Sequence, residues 1–264
     1  MRKNGKDMTK AVFFDIDGTL VSFRTHSISQ NTLADLYALK EKGVKTFIAS
    51  GRPLKMMDNL SGFPFDGYIT LNGAIVYADD RIIFRHPIDP VTAGKIAEIA
   101  DTAGMPCVTY CEDRLAVSMT DDTTNMTFKM IKLPPIPVIP AVEMAREPVY
   151  QFTIFADEEQ EKTMILPEAD KLEPSRWNPM FMDLNPKGLS KADGIRAICG
   201  HFGISREETM AFGDGGNDIE MLKYAGTGIA MGNASDNVKA SADHVTGSVD
   251  EDGIGMALHH FGVL

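Results

Sequence analysis

The run Asp15-Ile16-Asp17-Gly18-Thr19-Leu20 sets two carboxylates two residues apart. On a strand, side chains with that spacing project to one face until the glycine turns the chain away, so both acids can address a single substrate. Like charges held so close push their proton affinities apart. One can then stay an ionised nucleophile while its neighbour gives and takes a proton. An Asp-x-Asp-Gly opening would also suit a calcium loop, but that pattern wants glycine at its sixth position, where this chain has Leu20.

Three further groups offer matching chemistry. Ser50-Gly51-Arg52-Pro53 supplies a hydroxyl and backbone N–H groups that can grip a phosphate where a helix starts, or Ser50 is a plain helix cap. Lys191 stands where a helix should begin. A cation there opposes the macrodipole, which suits a bound anion as well as it suits a solvated lysine. Gly213-Asp214-Gly215-Gly216-Asn217-Asp218 gathers the hard oxygen donors that Mg²⁺ takes, or forms an Asx-rich turn.

These groups need a scaffold that brings them to one edge. The apolar run from residue 11 into Asp15 predicts a central parallel strand buried on both faces, with the acids at its carboxyl end. Residues 31–42 have helical periodicity through Leu33, Leu36 and Leu39 and stop at Gly43; residues 44–50 read as a second strand. Pro53 suits the first turn of another helix, and a third strand over 68–71 breaks at Asn72-Gly73. Downstream, helices over 191–202, 219–224, 236–242 and 253–261 alternate with strands over 209–212, 228–231 and 244–245. That alternation predicts an α/β fold, a doubly wound parallel sheet whose ligands bind beyond the carboxyl ends of its strands. In the middle, short strands over 82–84, 107–110, 115–119 and 151–155, a helix over 91–103 and a Pro-rich stretch at 134–140 predict an inserted α+β domain. Its expected bounds are residues 80–182, with the core on 1–79 and 183–264. Residues 1–8 read as a short leader, in which Met8 offers a second start.

Taken in order, the Asp15 to Leu20 run, Ser50 before Gly51-Arg52, Lys191 in Gly188-Leu189-Ser190-Lys191, and the Gly213 to Asp218 run resemble the four motifs of the haloacid dehalogenase superfamily. From about Thr9 onward the chain is most similar to the Cof-like branch of sugar phosphatases. The stretch between Asp17 and Ser50 holds only a turn, a helix and a strand, so any cap domain must lie between Ser50 and Lys191. That resembles the C2 class of caps, of B type, in which an α+β lid covers the site and restricts substrate. The resemblance implies that Asp15 attacks phosphorus, and that Asp17 protonates the leaving oxygen and then activates water. Ser50, Gly51, Lys191 and Asn217 would bind phosphate. Mg²⁺ would be held by Asp15, the Asp17 carbonyl oxygen and Asp214, with Asp218 in support.

The implied substrate is a small phosphorylated metabolite, a hexose or pentose phosphate. Arg52 and Asn72 are candidates to line it. In the insertion, Arg176-Trp177-Asn178 offers a cation, a stacking ring and an amide, or else a core tryptophan beside a surface arginine. Two other functions fit the same motifs: a phosphomannomutase-like phosphotransferase and a noncatalytic sugar-phosphate sensor. A dinucleotide oxidoreductase does not fit, because Gly226, Gly228 and Gly232 depart from the GxGxxG spacing and flank a strand.

Composition sets the outer limits. The 264 residues are 44% hydrophobic and 24% charged, enough for a sizeable core. A formal charge of -11 disfavours nucleic acid, which needs a positive field. Three cysteines make an odd count in a chain too large to need disulfide staples, which points to a reducing compartment, the cytoplasm. No apolar run approaches the ~20 residues that span a bilayer, so no membrane partner is expected. A monomer or weak homodimer is the expected state.

Overall fold

The computed structural model describes residues 8–131 and 133–264; the rest of the expected leader lies outside them. The chain divides into two compact units, Met1–Arg85 with Ser190–Leu264, and His86–Leu189. The first unit opens with β1 (Ala11–Phe14), α1 (Gln30–Glu41), β2 (Lys45–Ala49), β3 (Gly67–Thr70), β4 (Ile75–Ala78) and β5 (Arg81–Arg85). The insertion carries α2 (Pro90–Thr102), β6 (Cys107–Cys111), β7 (Leu115–Val117), α3 (Asp122–Met130), β8 (Val149–Ile154), β9 (Leu172–Asn178) and β10 (Phe181–Pro186). The chain then returns through α4 (Lys191–Phe202), β11 (Thr209–Gly213), α5 (Ile219–Tyr224), β12 (Thr227–Ala230), β13 (His244–Val245) and α6 (Gly253–His260).

Among the described residues, eight strands of the first unit form one sheet in the order β13-β12-β11-β1-β2-β3-β4-β5. The strands from β13 to β3 run parallel, and the β4–β5 pair is added antiparallel. From β1 the chain winds outward through β2 and β3, then resumes on the other side at β11. The winding reverses between β1 and β11, and that is where an open α/β sheet leaves a crevice at its carboxyl edge.

Alternation along β1 explains why it is central. Val12 and Phe14 join a core with Leu36, Leu39, Ile254 and Leu258, whereas Ala11 and Phe13 join another with Ile195, Ile198, Met221 and Leu222. Phe13 stacks on Phe47 and Phe14 on Phe212, so both neighbouring strands lock to β1 through their rings. Ser29 caps α1 by accepting from the Thr32 N–H at 3.0 Å, and Gly43, at φ 74°, takes the left-handed exit.

Three local expectations are corrected. No α-helix follows Pro53; a single 3₁₀ turn, Leu54–Met56, stands there. Met57, Leu60 and Phe63 are drawn into the core instead, and Ser61 and Gly62 both adopt positive φ, which an α-helix does not accommodate. The expected insertion strand at 82–84 belongs to the main sheet as β5, paired with β4 across a hairpin in which Asp79 and Asp80 have φ 50° and 57°. The insertion also runs past residue 182. Met182 and Leu184 face its core, and β10 pairs with both β8 and β9. Strand pairing thus sets the unit at His86–Leu189 in place of 80–182.

The insertion's own sheet has the order β7-β6-β8-β10-β9, antiparallel throughout. One face buries Cys107, Phe152, Ile154, Met182 and Leu184 with Ile96, Ala97 and Ala100 of α2. Asp89 caps that helix and Pro90 occupies its first turn. No helix among the described residues is long and apolar enough to cross a membrane.

Candidate active site

Asp15 continues β1 by donating its backbone N–H to the Phe212 carbonyl at 3.0 Å, which places its side chain at the reversal point of the sheet. Lys191, the first residue of α4, is fully buried there. Its Nζ donates to Asp15 Oδ1 at 2.7 Å and to Asp218 Oδ1 at 2.5 Å. The other Asp218 oxygen accepts the backbone N–H groups of Asp214 and Gly215 at 2.9 and 2.8 Å. Ligand atoms of Asp15, Asp214 and Asp218 all lie within 4.8 Å of one another. Segments far apart in sequence therefore converge on one cluster.

The loops are shaped to permit this. After β1 the chain coils so that the N–H groups of Leu20 and Val21 both donate to the Ile16 carbonyl. Gly18 sits at φ 88°, and a Cβ on it would lie 2.2 Å from Asp214 Oδ2, so glycine is required for conformation and for space alike. Gly213 answers the same need beneath Asp218, where a Cβ would lie 2.5 Å from that side chain.

Asp17 is turned elsewhere. Its carboxylate accepts Arg52 Nε at 2.8 Å and also Arg52 Nη2, a two-pronged pairing. Arg52 is in turn steadied by the Met56 carbonyl and Asn59 Oδ1. The residue expected to line substrate thus orients the second acid. Ser50 is 2% exposed and its Oγ accepts the Arg52 N–H, leaving the hydroxyl proton available to a ligand. Gly51 lies against Asn72: a Cβ there would be 3.2 Å from Asn72 Oδ1. Asn72 Oδ1 accepts Asn217 Nδ2 at 2.9 Å, so Gly51, Asn72 and Asn217 share one patch. That turn is strained, since Leu71 and Asn72 have φ 48° and 55°.

Two residues escaped the sequence reading. Thr19 Oγ1 donates to Asp214 Oδ1 at 2.9 Å. Asn233 Nδ2 donates to the Gly18 carbonyl at 2.9 Å and to Asp214 Oδ2 at 3.1 Å, while its own Oδ1 accepts the Val249 N–H. The available signal was positional: Gly232-Asn233 follows β12, whose carboxyl end opens on the same crevice. In the insertion, Arg176 is committed to its own unit. It donates to Glu161 Oε2 from Nε and Nη2, and to the carbonyls of Ala156 and Pro179. Asn178 Oδ1 accepts the Met180 N–H, and the Trp177 side chain lies outside the described residues.

Charge in the cluster is unbalanced: three carboxylates meet one ammonium. Burial pushes Asp15 up to about 8; Lys191 pulls it down and Asp218 pushes it further up. Burial, opposed by the Thr19 hydrogen bond and reinforced by Asp218, raises Asp214 to about 6. For Lys191 burial alone would lower the value, but Asp15 and Asp218 together raise it, so it stays charged. Added positive charge would favour the ionised forms of Asp15 and Asp214, and the oxygens of the cluster are the donors a hard divalent cation takes. The residues fit Mg²⁺. Asp17 adds no carboxylate to this set; the expected donor was its carbonyl oxygen.

A family described as haloacid dehalogenase-like hydrolase matches residues 12–258. The chain belongs to this family. A Bacillus subtilis (strain 168) protein named as the phosphatase YkrA is 33% identical, over 97% of this chain and 99% of that one. The chain is likewise similar to a solved structure described as the HAD subclass IIB sugar phosphatase BT4131, at 43% identity and a TM-score of 0.87, covering 97% of this chain and 100% of that one. A structure of the phosphatase BT1666 from Bacteroides thetaiotaomicron superposes at 36% identity and a TM-score of 0.88, over 100% and 99% of the two chains. The protein is therefore an enzyme, a haloacid dehalogenase-like hydrolase of the Cof-like phosphatase branch.

Proposed function

We propose that this haloacid dehalogenase-like hydrolase is a Mg²⁺-dependent phosphatase of small phosphorylated metabolites, hexose or pentose phosphates foremost, acting through a phosphoaspartate on Asp15. The observation that carries the reading is the fully buried Lys191 bridging Asp15 and Asp218 beside Asp214. Lys191 fixes one Asp15 oxygen, which leaves the other to attack phosphorus as the P–O bond to the leaving alcohol breaks. Asp17 gives that oxygen its proton, then takes a proton from the water that attacks the phosphoaspartate. Free phosphate leaves and Asp15 is regenerated.

Arg52 holds the Asp17 carboxylate until substrate arrives. The Ser50 hydroxyl and the Gly51, Asn72 and Asn217 patch bind the non-transferring oxygens. Mg²⁺, when held by Asp15 and Asp214 with Asp218 in support, supplies positive charge against the equatorial oxygens, where phosphoryl transfer needs it most. The three buried, unpaired cysteines favour a reducing compartment, the cytoplasm.

The test is a panel of phosphorylated metabolites assayed for phosphate release with and without Mg²⁺. Mg²⁺-dependent release from sugar phosphates is expected. Isomerised sugar phosphate without free phosphate would instead establish a phosphotransferase, and ligand binding without turnover a sensor.

A further inference from the structure

The amphipathicity of α3 is inverted. Asp121 caps the helix by accepting the Thr124 N–H at 2.7 Å. The face turned into the inserted unit carries Thr124 and Thr127, both buried, and Phe128, whose ring meets Phe155 edge to face. Among the described residues, Thr127 Oγ1 has no hydrogen-bond partner. The outward face carries Asp122, Asn125, Met126, Lys129 and Met130, at the spacing of one stripe along a helix. Met126 and Met130 are each 60% exposed. Water therefore wets both methionines of the helix while two hydroxyl-bearing side chains are buried.

The apolar surface does not end with the helix. Met119 precedes it and Ile131 follows it, both exposed, and so is Val138. Val138 sits on a segment fastened alongside β7, where Val117 donates its N–H to the Pro137 carbonyl and accepts the Ile139 N–H. Exposed apolar groups gathered in this way mark an interaction surface, and methionine is enriched where protein surfaces meet because its flexible thioether adapts to its neighbour.

Charge along the stripe selects the partner. Asp122 stands in the first turn and Lys129 in the last, so the outward face is acidic at one end and basic at the other. A foreign surface of one sign would match one end and oppose the other. A second copy turned end for end matches both, and it also opposes the two helix dipoles favourably.

We propose that α3 is the core of a homodimer interface, in which two copies of this chain pack their methionine stripes antiparallel about a two-fold axis near Met126. Asp122 of one copy then meets the Lys129 end of the other, twice over.

The test is sedimentation velocity of the whole protein across a broad concentration range. The wild type is expected to pass from monomer to dimer as concentration rises. Lys129→Glu and Asp122→Lys each set like charges against one another across the axis, and each weakens dimerisation about 10-fold or more. An equimolar mixture of these two variants restores it, because every chain then meets the opposite charge. Met126→Glu abolishes the dimer while leaving the circular dichroism spectrum and the turnover of p-nitrophenyl phosphate unchanged; the mixture decides the matter should that variant not fold. A wild type that stays monomeric throughout, single charge variants that dimerise as wild type does, or a mixture that stays monomeric would overturn the proposal. Lost turnover in Met126→Glu with the oligomeric state unchanged would assign the stripe to catalysis, and capture of a different protein by a monomeric wild type would assign it to that partner; either result overturns the homodimer.

Discussion

Asp15→Asn keeps an oxygen for Lys191 to bond but removes the attacking charge. We expect kcat to drop roughly a million-fold, as for loss of a nucleophile, with an unchanged circular dichroism spectrum; near-normal turnover would refute the assignment. Asn233→Ala tests a residue that supports without touching the reaction. It frees Asp214 Oδ2 and the Gly18 carbonyl together, so the Mg²⁺ concentration for half-maximal activity should rise about 10-fold while kcat at saturating Mg²⁺ changes little. Asp15, Lys191, Asp214 and Asp218 were legible in the sequence, because each occupies a fixed place after a strand or at the head of a helix. Arg52 was legible as a site residue but not in its role, since a bidentate partner across 35 positions leaves no local trace. Asn233 was missed for the same reason: its neighbours are Gly18, Asp214 and Val249, none of them near in sequence.

Lys191 also acts between elements, tying the head of α4 to the end of β1 and to the loop after β11. Lys191→Met would leave two buried carboxylates facing each other without a cation. A loss of about 3–5 kcal/mol, the usual consequence of removing one partner of a buried pair, is expected in urea unfolding without metal; a variant as stable as wild type would show that the pair does not hold the fold. At this scale the parallel strands and their helices were readable from continuous apolar runs and caps such as Gly43. The β4–β5 hairpin was not. Its turn is two aspartates at positive φ, where glycine or asparagine is the usual signal. The helix expected after Pro53 failed because Met57, Leu60 and Phe63 had a better place in the core than on a helix face.

For the molecule as a whole, the buried acid cluster should govern stability near neutrality. Asp15 and Asp214 titrate near 8 and 6, above the ordinary 3.8. Between those limits the folded chain holds protons that the unfolded chain has lost, so folding weakens as pH rises through that window. Scanning calorimetry of the metal-free protein should find Tm lower at pH 8 than at pH 5. Added Mg²⁺ should raise Tm more at pH 8, where the ligands are ionised; an equal rise at both would contradict a carboxylate site. The two-unit plan was visible as a change of texture along the chain, but its borders follow strand pairing, which the sequence did not reveal. The most direct test is mass spectrometry of the Asp17→Asn variant, quenched during turnover of p-nitrophenyl phosphate with Mg²⁺, whose acidic leaving group needs no proton from Asp17. That variant should form the phosphoaspartate and hydrolyse it slowly, so the phosphoryl group is predicted on Asp15. Phosphate on another residue, or wild-type turnover with no phosphoenzyme in either form, would contradict the account.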